Sequence, residues 1–220
     1  LKGHKQPVKV AVFNLDNIRV ISGGEDTPLY LWDPTASDPL VKSLVGHIAS
    51  IQVLAFSADR TQFFSGGADG SIILWDLEKA KIAGIEKQKS AITSLAFRED
   101  NRMMAVGLED GNIQLWNPVT FEYINSLQHS QKTVRTVAFS TDGNILAAAG
   151  DDATIAYYRL VNQEFLGTGG SHDGTITSVK YTHDNRYLIS AGTDGAIKLW
   201  KTGEDNIGLP ATACFSDPDL

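Results

Sequence analysis

The sequence predicts an all-β protein built from five copies of one four-stranded unit. The first observation is that apolar residues alternate over short segments separated by Gly, Asp and Asn, the period expected of strands joined by tight turns. The second is that no segment has a helical periodicity of useful length. The third is a repeat, in which one apolar segment recurs at steps of 43, 41, 42 and 42 residues: "VKVAVF" (8–13), "IQVLAF" (51–56), "ITSLAF" (92–97), "VRTVAF" (134–139) and "ITSVKY" (176–181).

Each unit can be followed strand by strand from this segment. Three residues past its closing aromatic, an aspartate marks a hairpin turn: Asp16, Asp59, Asp100, Asp142 and Asp184. A second alternating run follows, then a turn containing Asp, and then a third run that ends at an aromatic residue: Trp32, Trp75, Trp116, Tyr158 and Trp200. Fourth segments such as "KIAGIEK" complete the unit. The predicted units are about 1–43, 44–84, 85–126, 127–168 and 169–202, with 203–220 as a tail or part of a next unit.

Composition and charge restrict the class of protein. With 42% hydrophobic and 20% charged residues, the chain is typical of a globular domain. The net charge of -7 argues against direct binding of nucleic acid, which needs Lys and Arg to displace counterions. Apolar runs fall far short of the roughly 20 residues that cross a bilayer, and "LKGHKQPVKV" has no apolar signal segment.

The single cysteine, Cys214, allows no internal disulfide and no zinc cluster. Reducing conditions fit this cysteine usage best. We therefore predict an intracellular protein of the cytoplasm or nucleus, with no membrane segment, no metal and no cofactor.

Four strands in about 42 residues, preceded by Gly-His and followed by Trp-Asp, resemble the WD40-repeat β-propeller family. "GH" stands at 3–4 and 46–47, and "WD" at 32–33 and 75–76. Later units depart from the pattern, since Gln88 replaces the histidine of the third and "HS" at 129–130 is displaced by one residue in the fourth. The resemblance covers residues 1 to about 202.

The resemblance implies that the units are blades of a ring. Rings of this family most often have seven blades, so we expect the five units to belong to a seven-bladed ring; a five-bladed ring is the alternative. "ACFSDPDL" (213–220) resembles the end of the inner strand of a sixth unit.

Three units carry a histidine, a serine, an aspartate and a tryptophan at equivalent positions, which resembles the buried structural tetrad of the family. The members are His4, Ser22, Asp26 and Trp32; His47, Ser65, Asp69 and Trp75; and His172, Ser190, Asp194 and Trp200. An indole N–H, a hydroxyl, a neutral imidazole and a carboxylate can satisfy one another in a chain. The third unit lacks both the His and the Ser (Gln88, Val106), and the fourth lacks the Ser and the Trp (Ala148, Tyr158). Paired losses favour a structural network.

Other kinds of chemistry fit the same residues less well. The glycines of "SGGADG" (65–70) are not followed by the helix and lysine that a phosphate loop needs. Ser65, His47 and Asp69 match the residue types of a hydrolase triad, but the set recurs three times beside a tryptophan. In the acidic doublets, such as Glu109-Asp110, one acid belongs to the tetrad turn and its neighbour faces solvent. We therefore predict no catalytic residue.

The resemblance also implies a partner-binding top face at the mouth of the central channel. Its residues flank the inner strand and the tetrad aspartate. They are Lys9, Glu25, Gln52, Thr93, Glu109, Arg135, Asp151, Thr177 and Thr193. This set is polar, poor in aromatics and slightly acidic, so a basic segment is the weakly preferred ligand.

Three functions are compatible with these features. The first is a non-catalytic scaffold that holds protein partners in a multi-subunit complex. The alternative is a ribonucleoprotein component, in RNA processing or ribosome biogenesis, that contacts RNA directly. An enzyme is the third, with only the Ser, His and Asp sets behind it; no small-molecule substrate is expected.

Overall fold

A computed structural model describes residues 2–14 and 18–202, and the backbone of 209–216. Within these ranges the chain contains only strands, turns and loops, which confirms the all-β prediction. Twenty strands form five four-stranded sheets, and consecutive strands are neighbours in each sheet. Neighbours pair in the antiparallel sense, as β5 does with β6 in the list below.

The strands agree with the predicted units in number and order. The first sheet contains β1 (Val8–Phe13), β2 (Val20–Gly24), β3 (Leu29–Trp32) and β4 (Leu40–Leu44). The second contains β5 (Ile51–Phe56), β6 (Phe63–Gly67), β7 (Ser71–Asp76) and β8 (Lys81–Lys87). The third contains β9 (Ile92–Phe97), β10 (Met104–Leu108), β11 (Asn112–Asn117) and β12 (Glu122–Gln128). The fourth contains β13 (Val134–Phe139), β14 (Ile145–Gly150), β15 (Thr154–Arg159) and β16 (Glu164–Ser171). The fifth contains β17 (Ile176–Tyr181), β18 (Tyr187–Gly192), β19 (Ala196–Lys201) and β20 (Leu209–Ser216).

Burial differs along each sheet and explains the sequence pattern. The second strands β6 and β10 are buried at every position, because both of their faces are covered. The outer strands β8 and β12 are largely exposed and carry most of the charged residues of their sheets. A strand covered on both faces reads as a continuous apolar or small-residue run, which is why "FFSGG" and "MAVGL" lack polar alternation.

The chain forms two compact units, Leu1–Leu95 and Ala96–Leu220, with the boundary inside β9. In the first unit a core lies between the first and second sheets, built around Ile21, Leu29 and Phe63. In the second unit one core involves β10, β11, β13, β14 and β15, and another lies between the fourth and fifth sheets. Each sheet thus buries at least one face against a neighbouring sheet.

The predicted hairpin aspartates form the turns between first and second strands. Each carboxylate accepts the backbone N–H two residues later, at 3.0 to 3.1 Å, from Thr61, Arg102, Asn144 and Arg186. The residue between has a positive φ, as in Arg60 at 60° and Gly143 at 71°. This local bond mimics a backbone turn and sets the hairpin. Asp16 lies outside the described residues.

The outer strands extend past the predicted unit limits, and the last segment is used differently from the expectation. β4, β8, β12 and β16 end one to three residues beyond residues 43, 84, 126 and 168. Leu209–Ser216 pairs with β19 as the fourth strand of the fifth sheet, whereas residues 203–208 and 217–220 of the predicted tail lie outside the described residues. An antiparallel neighbour for β19 satisfies its outward backbone groups, whereas an inner strand would need a further sheet to pair with.

Candidate functional site

Three sheets bring the predicted tetrad residues together. In the second sheet, Trp75 Nε1 lies 2.8 Å from Ser65 Oγ, which lies 2.7 Å from His47 Nε2, and His47 Nδ1 lies 3.1 Å from Asp69 Oδ1. The corresponding distances are 2.6, 2.6 and 2.8 Å for Trp32, Ser22, His4 and Asp26, and 2.8, 2.7 and 2.9 Å for Trp200, Ser190, His172 and Asp194.

One arrangement of protons satisfies every member. The Trp75 N–H donates to Ser65 Oγ, the Ser65 hydroxyl donates to His47 Nε2, and His47 Nδ1–H donates to Asp69. This requires neutral imidazole, since a proton on Nε2 would compete with the serine proton. Burial lowers the pKa of His47, although Asp69 acts in the opposite direction, so the neutral form is favoured.

The tetrad aspartate joins two separate loops. Asp69 accepts the backbone N–H of Ile48, just after the histidine, at 2.8 Å and that of Ser71, in the next turn, at 2.9 Å. Asp194 accepts the corresponding N–H groups in the fifth sheet. Burial raises the pKa of Asp194, but hydrogen bonds from His172 and the backbone outweigh it and lower the pKa to about 2.

In the second and fifth sheets, a glycine beside the tetrad leaves space for the hydrogen bond between the histidine and the aspartate. A Cβ on Gly67 would lie 2.5 Å from His47 Nδ1 and 2.6 Å from Asp69 Oδ1, and Gly192 has the same relation to its histidine and aspartate. Any side chain at this position would enter the space of the His–Asp contact. We call this side of each sheet, with the loop before its first strand and the turn between its second and third strands, the tetrad edge.

Four of the inner strands, β1, β5, β13 and β17, begin with a β-bulge at the tetrad edge. The register shifts between Val8 and Val10, Ile51 and Val53, Val134 and Thr136, and Ile176 and Ser178. The residues at the shifts are Lys9, Gln52, Arg135 and Thr177, four of the nine predicted contact positions. A bulge leaves its extra residue outside the regular ladder and re-aims its side chain.

The residue before each tetrad aspartate is fixed against the same bulge. The N–H groups of Glu25, Ala68, Asp151 and Thr193 donate to the carbonyls of Pro7, Ser50, Thr133 and Thr175 at 2.8 to 3.0 Å. In the fourth sheet the bulge residue and the turn residue bind each other directly. Arg135 Nε and Nη2 lie 2.8 and 2.9 Å from the two oxygens of Asp151.

The other predicted contact positions differ in exposure. Glu25, Glu109, Thr177 and Thr193 are exposed, whereas Thr93 is half-buried. Lys9 Nζ lies 3.5 Å from Gln52 Oε1, and this contact links the bulge residues of the first and second sheets. Glu109, beside the third sheet, lies near enough to Arg135 of the fourth sheet to help raise the pKa of Arg135. This contribution is smaller than that of the hydrogen bond between Arg135 and Asp151.

Comparison with protein families agrees with this architecture. A family model described as the IFT122 first β-propeller matches residues 1–213. The chain belongs to this family. The four-stranded sheets are therefore blades of a β-propeller, and the resemblance to WD40-type repeats is confirmed. A search of curated proteins found no match.

The third blade of this propeller replaces the tetrad with a contact inside one strand. Val106, fully buried, stands where a serine would accept the indole proton. Trp116 Nε1 instead donates to Gln114 Oε1 at 3.1 Å. The two residues are two apart on β11 and so share a face. Asp110 keeps its turn role by accepting the N–H of Asn112 at 3.0 Å.

The fourth blade keeps half of the tetrad. His129 Nε2 lies 3.1 Å from Asp152 Oδ2, and the imidazole is almost fully buried. Ala148 replaces the serine, and the hydroxyl of Tyr158 donates to the Gln128 carbonyl at 3.0 Å. The phenol of this blade thus finds a backbone acceptor in place of the missing serine.

The tetrad serines are closed to substrates despite their triad-like neighbours. Ser65 has no exposed surface, and its oxygen already accepts the Trp75 N–H. A hydrolytic nucleophile must be open to a substrate beside an oxyanion site. In the described parts of the chain no three His, Cys, Asp or Glu side chains are grouped to hold a metal, and no helix could span a membrane.

Sequence reasoning missed the bulges and the substitute acceptors. The bulges leave no mark in the apolar pattern, because the extra residue is polar and adjoins the first apolar residue of the strand. Gln114 could have been noticed, since it is a polar residue two positions before the tryptophan on the buried face. The Gln128 carbonyl belongs to the backbone and has no signature in the sequence.

Proposed function

We propose that the chain is a non-catalytic scaffold within a multi-subunit complex, and that it binds protein partners through the tetrad edges of its blades. The observation that carries the proposal is the pairing of a bulge residue with an adjacent turn residue, each fixed by backbone hydrogen bonds. Side chains held on a rigid frame lose little conformational entropy on binding. Membership of a β-propeller family supports a protein-interaction role.

The charges at the tetrad edges of the third and fourth sheets give a weak preference for a basic segment. Glu109 and Asp151 carry two negative charges, and Arg135 carries one positive charge. Arg135 already neutralises Asp151, so a basic partner would interact mainly with Glu109 or compete with Arg135. Exposed charges contribute more to association rate and specificity than to affinity. We therefore propose that the tetrad edge has a modest preference for partners with basic segments.

Affinity purification of the full-length protein, followed by mass spectrometry, tests this proposal. Glu109→Lys and Asp151→Lys are expected to reduce the recovery of at least one partner about tenfold, the equivalent of about 1.4 kcal/mol. Glu99→Lys is the matched control, because it makes the same charge change in the exposed hairpin turn at the other edge of the same sheet.

The outcomes separate the proposal from its alternatives. All variants should keep the unfolding midpoint of the wild type, so that a loss of partner reflects the surface. Treatment of the lysate with ribonuclease is expected to leave the partners in place, whereas their loss would favour the RNA-binding alternative. Equal recovery of all partners by wild type, Glu109→Lys and Asp151→Lys would contradict binding through the tetrad edge.

A further inference from the structure

A pocket lies between the fourth and fifth sheets, at the edge opposite the tetrad edge. Its volume is about 370 Å³, within the range of roughly 300–1,000 Å³ typical of ligand sites. Residues from the β13–β14 turn, the β15–β16 turn and the β17–β18 turn line it, together with Tyr157 and Tyr181. All of these belong to the second compact unit. We call it the hairpin-edge pocket.

Two phenol oxygens in this pocket have no partner. The oxygens of Tyr157 and Tyr181 are buried, and no group among the described residues forms a hydrogen bond with either. Tyr157 as a whole is 1% exposed. A buried hydroxyl without a partner destabilises a protein, whereas an apolar side chain of similar shape does not. These hydroxyls therefore need an explanation outside the packing of the free protein.

Comparison among the five repeats shows that both hydroxyls are special to this place. The position of Tyr157, just before the closing aromatic of the third strand, holds leucine in the other repeats: Leu31, Leu74, Leu115 and Leu199. The position of Tyr181, at the end of the inner strand, holds phenylalanine in the others: Phe13, Phe56, Phe97 and Phe139. Two independent departures from the repeat thus add a hydroxyl to the same pocket.

The charged groups of the pocket already have hydrogen-bond or ion-pair partners. Asp142 accepts hydrogen bonds from the Ser140 hydroxyl at 2.5 Å and from the backbone and side chain of Asn144 at 3.0 and 3.1 Å. Arg159 lies 3.1 Å from Glu164. Burial raises the pKa of Tyr181 and that of Tyr157, so both phenols stay neutral. An anionic ligand would lie beside the Asp142 carboxylate, and any ionised ligand group would lose its water against two neutral hydroxyls, which is costly.

We propose that the hairpin-edge pocket binds the carboxamide side chain of an asparagine or glutamine in a peptide segment of a partner protein. A carboxamide has an acceptor oxygen and two N–H donors, which match two hydroxyls that each donate and accept and a carboxylate that only accepts. Val161, 88% exposed, also lines the pocket and offers apolar contact to the flanking part of a peptide. The peptide nature of the ligand rests on the scaffold function proposed above.

A random dodecapeptide library displayed on phage tests the proposal. The library is selected on the full-length protein and counter-selected on the Tyr157→Phe/Tyr181→Phe double variant. The selected peptides are expected to share an Asn or Gln beside an apolar residue and to bind the double variant at least tenfold more weakly. Replacing that Asn or Gln by Asp, Glu or Lys should abolish binding. Tyr123→Phe, which removes the hydroxyl of a tyrosine that is 51% exposed on β12, is the matched control and should bind normally.

The same variants show whether the hydroxyls are free in the unbound protein. The double variant is expected to unfold at the wild-type temperature or a few degrees higher, because it loses no hydrogen bond. A lower midpoint would mean that the hydroxyls are bonded within the free protein and would overturn the proposal. So would a selection without peptides that discriminate the double variant, or one whose shared anchor is a charged residue.

Failure here is distinguishable from failure of the scaffold proposal. Glu109→Lys lies at the tetrad edge, so it should lose co-purifying partners and still bind the selected peptides. If partners are lost with Glu109→Lys and no peptide is selected, the pocket proposal alone is wrong. If discriminating peptides are found and no tetrad-edge variant loses a partner, binding through the tetrad edge is wrong.

Discussion

Ser65 illustrates at the residue scale how much depends on one hydroxyl. Its oxygen accepts from Trp75 and its proton goes to His47, so Ser65→Ala leaves a donor and an acceptor unpaired in a fully buried site. Each unpaired group costs about 1–3 kcal/mol. We expect Ser65→Ala to lower the free energy of unfolding by about 2–6 kcal/mol, measured by urea denaturation followed through tryptophan fluorescence.

Ser126→Ala provides the comparison for this substitution. Ser126 is exposed on the outer strand β12, and surface substitutions of this kind usually change stability by less than about 0.5 kcal/mol. A loss at Ser65 no larger than the loss at Ser126 would show that the tetrad does not stabilise the second blade.

The ionisation of Asp194 is a second residue-scale prediction. Its pKa in the folded protein is about 2, below the ordinary value of 3.8. A carboxyl group whose folded pKa is depressed stabilises the fold above its unfolded pKa and loses this contribution as pH falls through the folded pKa. Between pH 4 and pH 2 we therefore expect about 2 kcal/mol of stability to be lost from this group alone.

Carbon-13 NMR of the side-chain carboxyl measures this directly. The Asp194 resonance should titrate with a midpoint near pH 2. A midpoint for Asp194 near 4 would mean that the hydrogen bonds from His172, Asp173 and Ala196 do not outweigh burial.

At the scale of the strand, the end of the second strand is matched to the histidine loop. The position of Gly67 holds glycine in the first, fourth and fifth repeats (Gly24, Gly150 and Gly192) but leucine in the third, where Leu108 accompanies the loss of the histidine at Gln88. A large side chain is compatible with this strand once no imidazole needs the space. The strand end and the loop therefore act as one element.

Gly67→Ala tests this coupling. The added methyl group would lie 2.5 Å from His47 Nδ1, and overpacking of this kind costs about 1–3 kcal/mol. We expect a loss of that size in urea denaturation. Adding His47→Gln, the residue found in the third repeat, should cost less in the Gly67→Ala background than in the wild type, because the contact is already broken. Strict additivity of the two changes would contradict the coupling.

The strands and the three tetrads could be predicted from the sequence because each depends on local spacing. His47 and Ser65 are 18 residues apart, and this interval recurs wherever the set is complete. The bulges at Lys9, Gln52, Arg135 and Thr177 could not be predicted, since a register shift depends on the pairing of two strands rather than on either one. The bond between Arg135 and Asp151 follows from that shift and was missed for the same reason.

The last segment shows the same limit at a longer range. "ACFSDPDL" has the residue types of an inner strand, yet Leu209–Ser216 pairs with β19. Such a strand pairs with whichever strand has an unpaired edge nearby. The residue types of the segment do not show which edge is unpaired.

At the scale of the whole molecule, the two edges of the blades serve different chemistry. The tetrad edge carries charged and polar side chains on bulges and fixed turns, whereas the hairpin edge between the fourth and fifth sheets carries neutral hydroxyls in a pocket. Under the two proposals above, we expect partners at the tetrad edge and at the hairpin-edge pocket to bind without competing with each other. As part of the proposed function, we expect the net charge of -7 to disfavour nucleic acid and to favour partners with basic segments at the tetrad edge.

The number of blades in the complete ring is the remaining whole-molecule prediction. Closure fixes the rotation between successive blades at a full turn divided by their number, so seven blades require about 51° and five require about 72°. We expect about 51°, because WD40-type rings most often have seven blades. An experimental structure of the full-length protein would measure the rotation from the first sheet to the second, and from the fourth to the fifth, where shared cores fix adjacent blades. A value near 72° at both places would contradict the seven-bladed ring and would mean a five-bladed ring.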